Sequence, residues 1–194
     1  AKTEYQKHAA AEYLSHTYTY DADRRLVTVA ADNDQDNTAV TGQTQFYYNK
    51  TGQLKRKELG AGLQGIDFTY TLLGQLKTMN DPGLRPDVDP GRDGLASGFE
   101  ADVFGMAIDY HSGDYVNHDE GANIMSRDGG FFNGLVHSQR WKNAASNVIH
   151  RNTGGDIALY AAGSTAKELV NEFSYDKFSR LKNAVFGIYD NSSQ

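Results

Sequence analysis

Aromatic and apolar positions in this chain recur at every second residue in short runs, each followed by turn-forming residues, the pattern of half-buried strands joined into hairpins. One spacing returns four times: an aromatic residue, a Tyr two positions later, a turn, and a Leu six positions after the Tyr. The copies are Tyr18/Tyr20/Leu26, Phe46/Tyr48/Leu54, Phe68/Tyr70/Leu76 and Phe173/Tyr175/Leu181. Agreement at fixed offsets between otherwise different neighbours identifies an internal repeat, with units near 18–30, 46–59, 66–80 and 171–186.

Each unit is predicted to be one hairpin. Aromatics at i and i+2 share a face of an extended strand, and the residues after the Tyr carry turn chemistry. Asn49 suits the start of a type I turn, and Gly52 and Gly74 suit the left-handed position that closes a hairpin with a bulge. Arg24 and Ser179 hold that place in the outer copies, where a positive φ is less comfortable, so looser turns or another turn type are expected there. Asp21 and Asp176 still supply the turn-initiating carboxylate.

Between the repeats, Ala31 to Gln43 forms a polar loop, and Gly60 and Gly62 punctuate the next connection. The stretch 80–100 is rich in Pro, Gly and Asp, contains all three prolines of the chain, and reads as a long irregular excursion. Strands are predicted near Phe104 to Tyr110, Phe131 to Trp141, Ile157 to Tyr160 and Leu169 to Tyr175. Glu4 to Leu14 suits a short helix by composition, although Tyr5 and Tyr13 suit a strand, and Thr165 to Val170 has brief helical potential. The whole is an all-β pattern.

Two sets of segments resemble Rhs proteins. Tyr18 to Leu26 and Phe173 to Leu181 resemble the YD repeat of that family: Tyr-Asp, a short turn, Gly or Ser, then Arg and Leu. The middle copies keep the aromatic frame but carry Asn49 and Thr71 for the Asp, and Gln53 and Gln75 for the Arg. Val103 to Tyr110, Phe132-Asn133-Gly134-Leu135 and Trp141-Lys142 are similar in order to a stretch of Bacteroidetes-type Rhs proteins. The resemblance implies a single segment over 1–194 of consecutive antiparallel hairpins in a curved or spiralling sheet, part of a larger shell. It also implies flanking repeats of the same parent chain as partners, an enclosed toxin or a cell-surface partner, and secretion or cell-surface placement on a bacterium. The start at Ala1 without Met or a secretory signal is in keeping with an excised piece of such a protein.

A formal net charge of −6 over 194 residues argues against a phosphate-binding surface, so no nucleic-acid partner is expected. Lys55-Arg56-Lys57 is the densest basic run and is predicted to be a solvated edge. No apolar run approaches about 18 residues, so no membrane span is expected. Cysteine is absent, which excludes disulfides and thiolate metal sites.

Candidate chemistry is sparse. Asp32, Asp34 and Asp36 alternate as at the opening of a calcium loop, but Gln43 stands where the bidentate Glu belongs, so a solvated hairpin loop ranks above calcium. Asp87, Asp89 and Asp93-Gly94 repeat that signal more weakly. His111, Asp114, His118 and Asp119 surround a Gly113 turn without a standard zinc spacing. Ser138 beside His137, and Ser126 beside Asp128, show no recognisable nucleophile arrangement, and no catalytic residue is assigned.

The resemblance therefore implies a non-enzymatic scaffold, in which the repeat aromatics Tyr20, Tyr48, Tyr70 and Tyr175 are expected to be mostly buried between neighbouring hairpins. The alternative is a carbohydrate-binding surface, since 12 Tyr, 9 Phe and Trp141 could present flat rings to glycans.

Overall fold

The structure, a computed structural model, describes residues 1–5, 13–33, 42–60, 62–95, 97–112, 114, 130–144, 149–151, 157–159 and 167–188. These form β1 (Lys2–Tyr5), β2 (Leu14–Tyr20), β3 (Leu26–Asp32), β4 (Gly42–Tyr48), β5 (Leu54–Leu59), β6 (Gln64–Tyr70), β7 (Leu76–Met79), β8 (Phe104–Asp109), β9 (Ser138–Asn143), β10 (Ile149–Arg151), β11 (Ile157–Leu159), β12 (Leu169–Tyr175) and β13 (Leu181–Ile188). The chain is all-β. Eleven strands make one antiparallel sheet in the order β1 to β9, then β12 and β13, while β10 and β11 pair separately. No helix among the described residues is long and apolar enough to cross a membrane.

Two segments depart from the sequence expectations. Glu4 and Tyr5 belong to β1 and Leu14 to β2, so both ends of the proposed short helix are strand; residues 6–12 lie outside the described residues. Leu169 and Val170 likewise begin β12, in register with Trp141 and Arg140 of β9. Pairing with an existing strand satisfies these backbone groups, which one isolated helical turn could not do as well.

All four repeat hairpins share one geometry. The register shifts by one residue immediately before each repeat Tyr, between Thr19/Tyr20, Tyr47/Tyr48, Thr69/Tyr70 and Ser174/Tyr175. Tyr20, Tyr48, Tyr70 and Tyr175 thus pair with Leu26, Leu54, Leu76 and Leu181, and one extra residue bulges from each outgoing strand. The outer turns are not looser. Arg24 and Ser179 both adopt φ 61, beside φ 88 at Gly52 and φ 84 at Gly74, with the same backbone bonds across the turn. The strain of a left-handed non-glycine residue is offset by a carboxylate brace. Asp21 Oδ1 accepts from the amides of Asp23 and Arg25, and its Oδ2 accepts Arg25 Nε at 2.7 Å. Asp176 repeats this with Phe178 and Arg180.

The same turn recurs inside the excursion. Leu84 (φ 55) and Arg92 (φ 54) hold the left-handed place three residues after Asp81 and Asp89, whose carboxylates accept the following amides. The Pro, Gly and Asp-rich stretch is therefore two further turns of the repeat type set in tandem without their strands.

A fifth hairpin is also present, hidden from the spacing search. In β8 and β9, Asp109 pairs with Ser138, and Gly134 (φ 83) precedes Leu135 and Val136 as Gly52 precedes Gln53 and Leu54. Ile108 and Tyr110 take the aromatic and Tyr places, but residues 111–130 intervene before the turn.

What joins one hairpin to the next is a tyrosine hydroxyl. Tyr48 donates to the Leu26 carbonyl at 2.8 Å, Tyr70 to Leu54 at 2.8 Å, Tyr110 to Leu76 at 3.0 Å and Tyr175 to Val136 at 2.9 Å. Each donor reaches back to the Leu position of the preceding hairpin, so five hairpins are tied by four latches. Tyr48, Tyr70 and Tyr175 are half-buried, whereas Tyr20, with no such bond among the described residues, is 54% exposed, contrary to expectation.

The two faces of the sheet are unlike. One cross-strand row runs Thr69, Thr78, Ala107, Arg140, Val170, and its last four members are buried. The neighbouring row on the opposite face runs Phe68, Met79, Met106, Trp141, Leu169, Ile188, and its members are half-buried or exposed. The polar face is the covered one.

Tyr48→Phe and Tyr70→Phe each remove one latch hydroxyl and are expected to lower the unfolding free energy by about 1 kcal/mol. Tyr20→Phe should change it by less than about 0.5 kcal/mol in the same urea titration.

Candidate functional site

Two buried charge networks lie on the covered face. The first is centred on Arg56, which the sequence placed on a solvated edge. Its side chain is in fact 13% exposed, because β5 runs between β4 and β6 and the excursion folds over it. Arg56 stands opposite Asp67 across β5 and β6, contacts that carboxylate directly, and bonds Asp93 at 2.9 Å and Glu58 at 2.9 Å. The Phe99 ring lies over the guanidinium at 4.9 Å. Gly65 and Gly91 leave room for it, since a Cβ at either position would collide with the Arg56 guanidinium.

Asp89 and Asp102 complete this network. Asp102 Oδ1 accepts Gln64 Nε2 at 3.0 Å and Asn80 Nδ2 at 2.8 Å, while Asn80 Oδ1 accepts the Asp67 amide at 2.7 Å. Asp89 Oδ1 accepts the Asp81 amide at 3.1 Å. Burial pushes Asp102 up to about 8 and Asp67 up to about 7, in the latter case against the pull of Arg56. Asp89 is raised for the same reason. Burial of Asp67, Asp89 and Asp102 near one another thus favours their protonated forms relative to exposed aspartates.

The second network joins the third, fourth and fifth hairpins. Lys77, fully buried, bonds Asp109 at 2.7 Å and Asp114 at 2.9 Å. Arg140 meets Asp109 at 2.9 Å and Glu168 at 3.0 Å, and Ser138 Oγ donates to Asp109 at 2.9 Å. Burial alone would raise Asp109, but Arg140 and Lys77 outweigh it and hold the carboxyl below the usual range. Lys77 is the bulge residue of its hairpin, so the irregularity in the strand carries the ammonium toward the next unit.

The predicted site residues separate accordingly. Tyr48, Tyr70, Tyr175, Leu26, Leu54 and Leu76 fall at the latches, with Gly52 and Gly74 at the turns; Tyr18, Phe46, Phe68 and Phe173 lie along the apolar face; Leu181 is exposed at the sheet edge. Asp32 is buried at the end of β3, while Asp34 and Asp36 lie outside the described residues. In the weaker acidic signal Asp87 is exposed, whereas Asp89 and Asp93 meet Asp67, their ligand-capable oxygens lying within 4.8 Å of one another. Among the described residues these three carboxylates are the donor set placed for a cation, and the Arg56 guanidinium already serves there.

Of the residues around Gly113 that lack a standard zinc spacing, His111 stacks on Phe132 at 4.3 Å while Asp114 turns to Lys77; His118 and Asp119 lie outside the described residues. Ser138 bonds Asp109, and His137 Nδ1 is buried without a partner among the described residues, so the adjacent pair makes no nucleophile and base there. Ser126 and Asp128 are outside the described residues. On the apolar face, an open depression of about 290 Å³ lies between the fourth and fifth hairpins, lined by Ile108, Val136, Gln139, Phe173, Tyr175 and Leu181.

Sequence reasoning missed Arg56, Asp67, Lys77, Asp109 and Arg140. Alternation hid them: in Ile66-Asp67-Phe68 and Ile108-Asp109-Tyr110 the Asp falls on the face that an apolar/polar pattern reads as solvated, and the structure covers that face instead. Neither a scan against protein-family models nor a search of curated proteins finds a match to this chain.

Lys77→Met leaves Asp109 and Asp114 buried against one cation fewer and is expected to cost about 3–5 kcal/mol of stability by urea denaturation. The acidic cluster fixes a pH trend of definite sign. Asp102 binds its proton more tightly in the folded chain (about 8) than at the ordinary 3.8. Its contribution is complete below about 4 and is lost as pH rises through about 8. Asp67 and Asp89 act in the same direction. The midpoint of thermal unfolding should therefore fall between pH 5 and pH 9, and Asp102→Asn should flatten that slope.

Proposed function

We propose that this chain is a non-enzymatic structural scaffold: a YD-repeat segment of Rhs type, belonging to a large bacterial protein that is secreted or displayed at the cell surface. In this role consecutive hairpins build a β shell that encloses or displays another polypeptide. The observation that carries the proposal is the unbroken series of tyrosine latches, which ties each hairpin to its predecessor by the same bond. A wall made by adding equivalent units needs such a joint, whereas a catalytic pocket does not.

The unlike faces support the same role. Buried charge pairs and the excursion close one face, while Phe68, Met79, Met106 and Trp141 leave the other apolar and half-exposed, ready for a polypeptide surface. The Asp21–Arg25 and Asp176–Arg180 braces account for the Asp and Arg of the YD pattern, because they hold a left-handed turn without glycine. Among the described residues, the most exposed rings, Phe132 and Phe178, are covered by His111 and by Lys177 and Arg180, and form no continuous row for a sugar.

Lys57 lies on the apolar face over Phe46 and offers a reporter. In the longer protein, amine crosslinking is expected to join Lys57 to a segment outside the sheet, and the purified chain is expected to bind nothing on a glycan array. Glycan binding that is lost on Tyr or Phe substitution while the fold persists would replace the scaffold by the carbohydrate-binding reading.

A further inference from the structure

The latches obey a register rule. Thr28 pairs with Gln45, so Leu26 falls opposite Tyr47, and the donor Tyr48 lies one residue beyond. Arg56 pairs with Asp67, which puts Leu54 opposite Thr69 and Tyr70 one beyond. Thr78 with Ala107 does the same for Leu76 and Tyr110, and Ser138 with Glu172 for Val136 and Tyr175. Four independent pairs of strands give one offset.

At β13 the acceptor half of this joint stands open. The Leu181 carbonyl occupies the place of Leu26, Leu54 and Leu76, yet no hydroxyl among the described residues reaches it, and Leu181, Val185, Phe186 and Ile188 are exposed along the strand. The turn beside it is also incomplete. In the first hairpin Arg25 is braced by Asp21 and lies 4.8 Å from the centre of the Tyr48 ring, the very tyrosine that latches onto Leu26. Arg180 is braced by Asp176 in the same way, but its side chain is 73% exposed and lies 5.3 Å from the centre of the Phe178 ring of its own turn, where Arg25 has the tyrosine of the next hairpin.

We infer that β13 is a docking edge for the incoming strand of one further hairpin of the same kind, carried in cis. Its occupant has an aromatic-x-Tyr pair placed so that the Tyr lies one residue beyond the partner of Leu181. That Tyr donates its hydroxyl to the Leu181 carbonyl and lies under the Arg180 guanidinium. Of the joints in this sheet, the one between the first and second hairpins is the template, because only there do Asp, Arg and Leu meet a following Tyr in this combination. The edge strand β1, Lys-Thr-Glu-Tyr, carries no aromatic-x-Tyr pair, which disfavours a second copy docking head to tail. The inference rests on the scaffold reading but specifies a register, a donor and a cation that the reading alone does not.

The test extends the full chain by a second copy of residues 33–59 fused after Gln194, followed by hydrogen exchange. The β13 amides that do not bond β12 should slow by about tenfold or more, while β6 and β7 serve as the internal control for folding. Placing Tyr48→Phe in the appended copy, or Arg180→Ala in the chain, should return most of that protection. Unchanged β13 exchange, or protection indifferent to both substitutions, overturns the inference. So does self-association of the unextended chain that is abolished by Phe186→Asp, which would assign the edge to a second copy. Failure here with the internal latches intact rejects the docking edge while leaving the scaffold reading in place; glycan binding would reject that reading separately.

Discussion

A hydroxyl donated to a backbone carbonyl holds this sheet in order. Hairpins are local objects, and nothing in a single one says which strand lies beside it or in what register. The bond from Tyr48 to Leu26, repeated by Tyr70, Tyr110 and Tyr175, supplies that information at each junction. Everything on the covered face depends on it. A slip of one residue between β5 and β6 would set Arg56 opposite Ile66 or Phe68 in place of Asp67 and leave its charge without the partners it now has.

The buried charges complement the latch rather than replace it. Burying Lys77, Asp109, Asp114 and Arg140 together costs desolvation that their mutual attraction largely offsets, so such a group contributes more to uniqueness than to net stability. Misaligned strands would leave these groups unpaired, which makes wrong registers far worse than the right one. Hydroxyl latches select the alignment from the apolar face and the turns; ion pairs penalise every alternative from the other face. The result is a sheet whose hydrophobic side remains available, the reverse of an ordinary two-layer domain.

Much of this was legible in the chain. Fixed spacing of aromatic, Tyr and Leu gave the hairpins, and β12 begins and ends where the alternation does. Turn geometry at Arg24 and Ser179 was not legible from φ preferences alone, because the compensation comes from a carboxylate three residues earlier. The β8–β9 hairpin escaped because its Tyr and turn are separated by residues 111–130, which breaks the offset while leaving the three-dimensional equivalence intact. Arg56 escaped for a different reason: three consecutive cations read as solvent-facing, yet alternation sends the middle one to the covered face. Latch partners could not have been paired from spacing, since the acceptor is a backbone atom that any residue possesses.

Carbonyl carbon shifts measured by NMR test the central claim most directly, because a carbonyl resonance reports on the hydrogen bonds its oxygen accepts. With selectively labelled leucine, Tyr48→Phe should move the Leu26 carbonyl resonance and leave those of Leu54 and Leu76 in place, and Tyr70→Phe should move that of Leu54 alone. Carbonyl shifts that ignore these substitutions, or that move together along the whole sheet, would contradict a series of separate tyrosine latches.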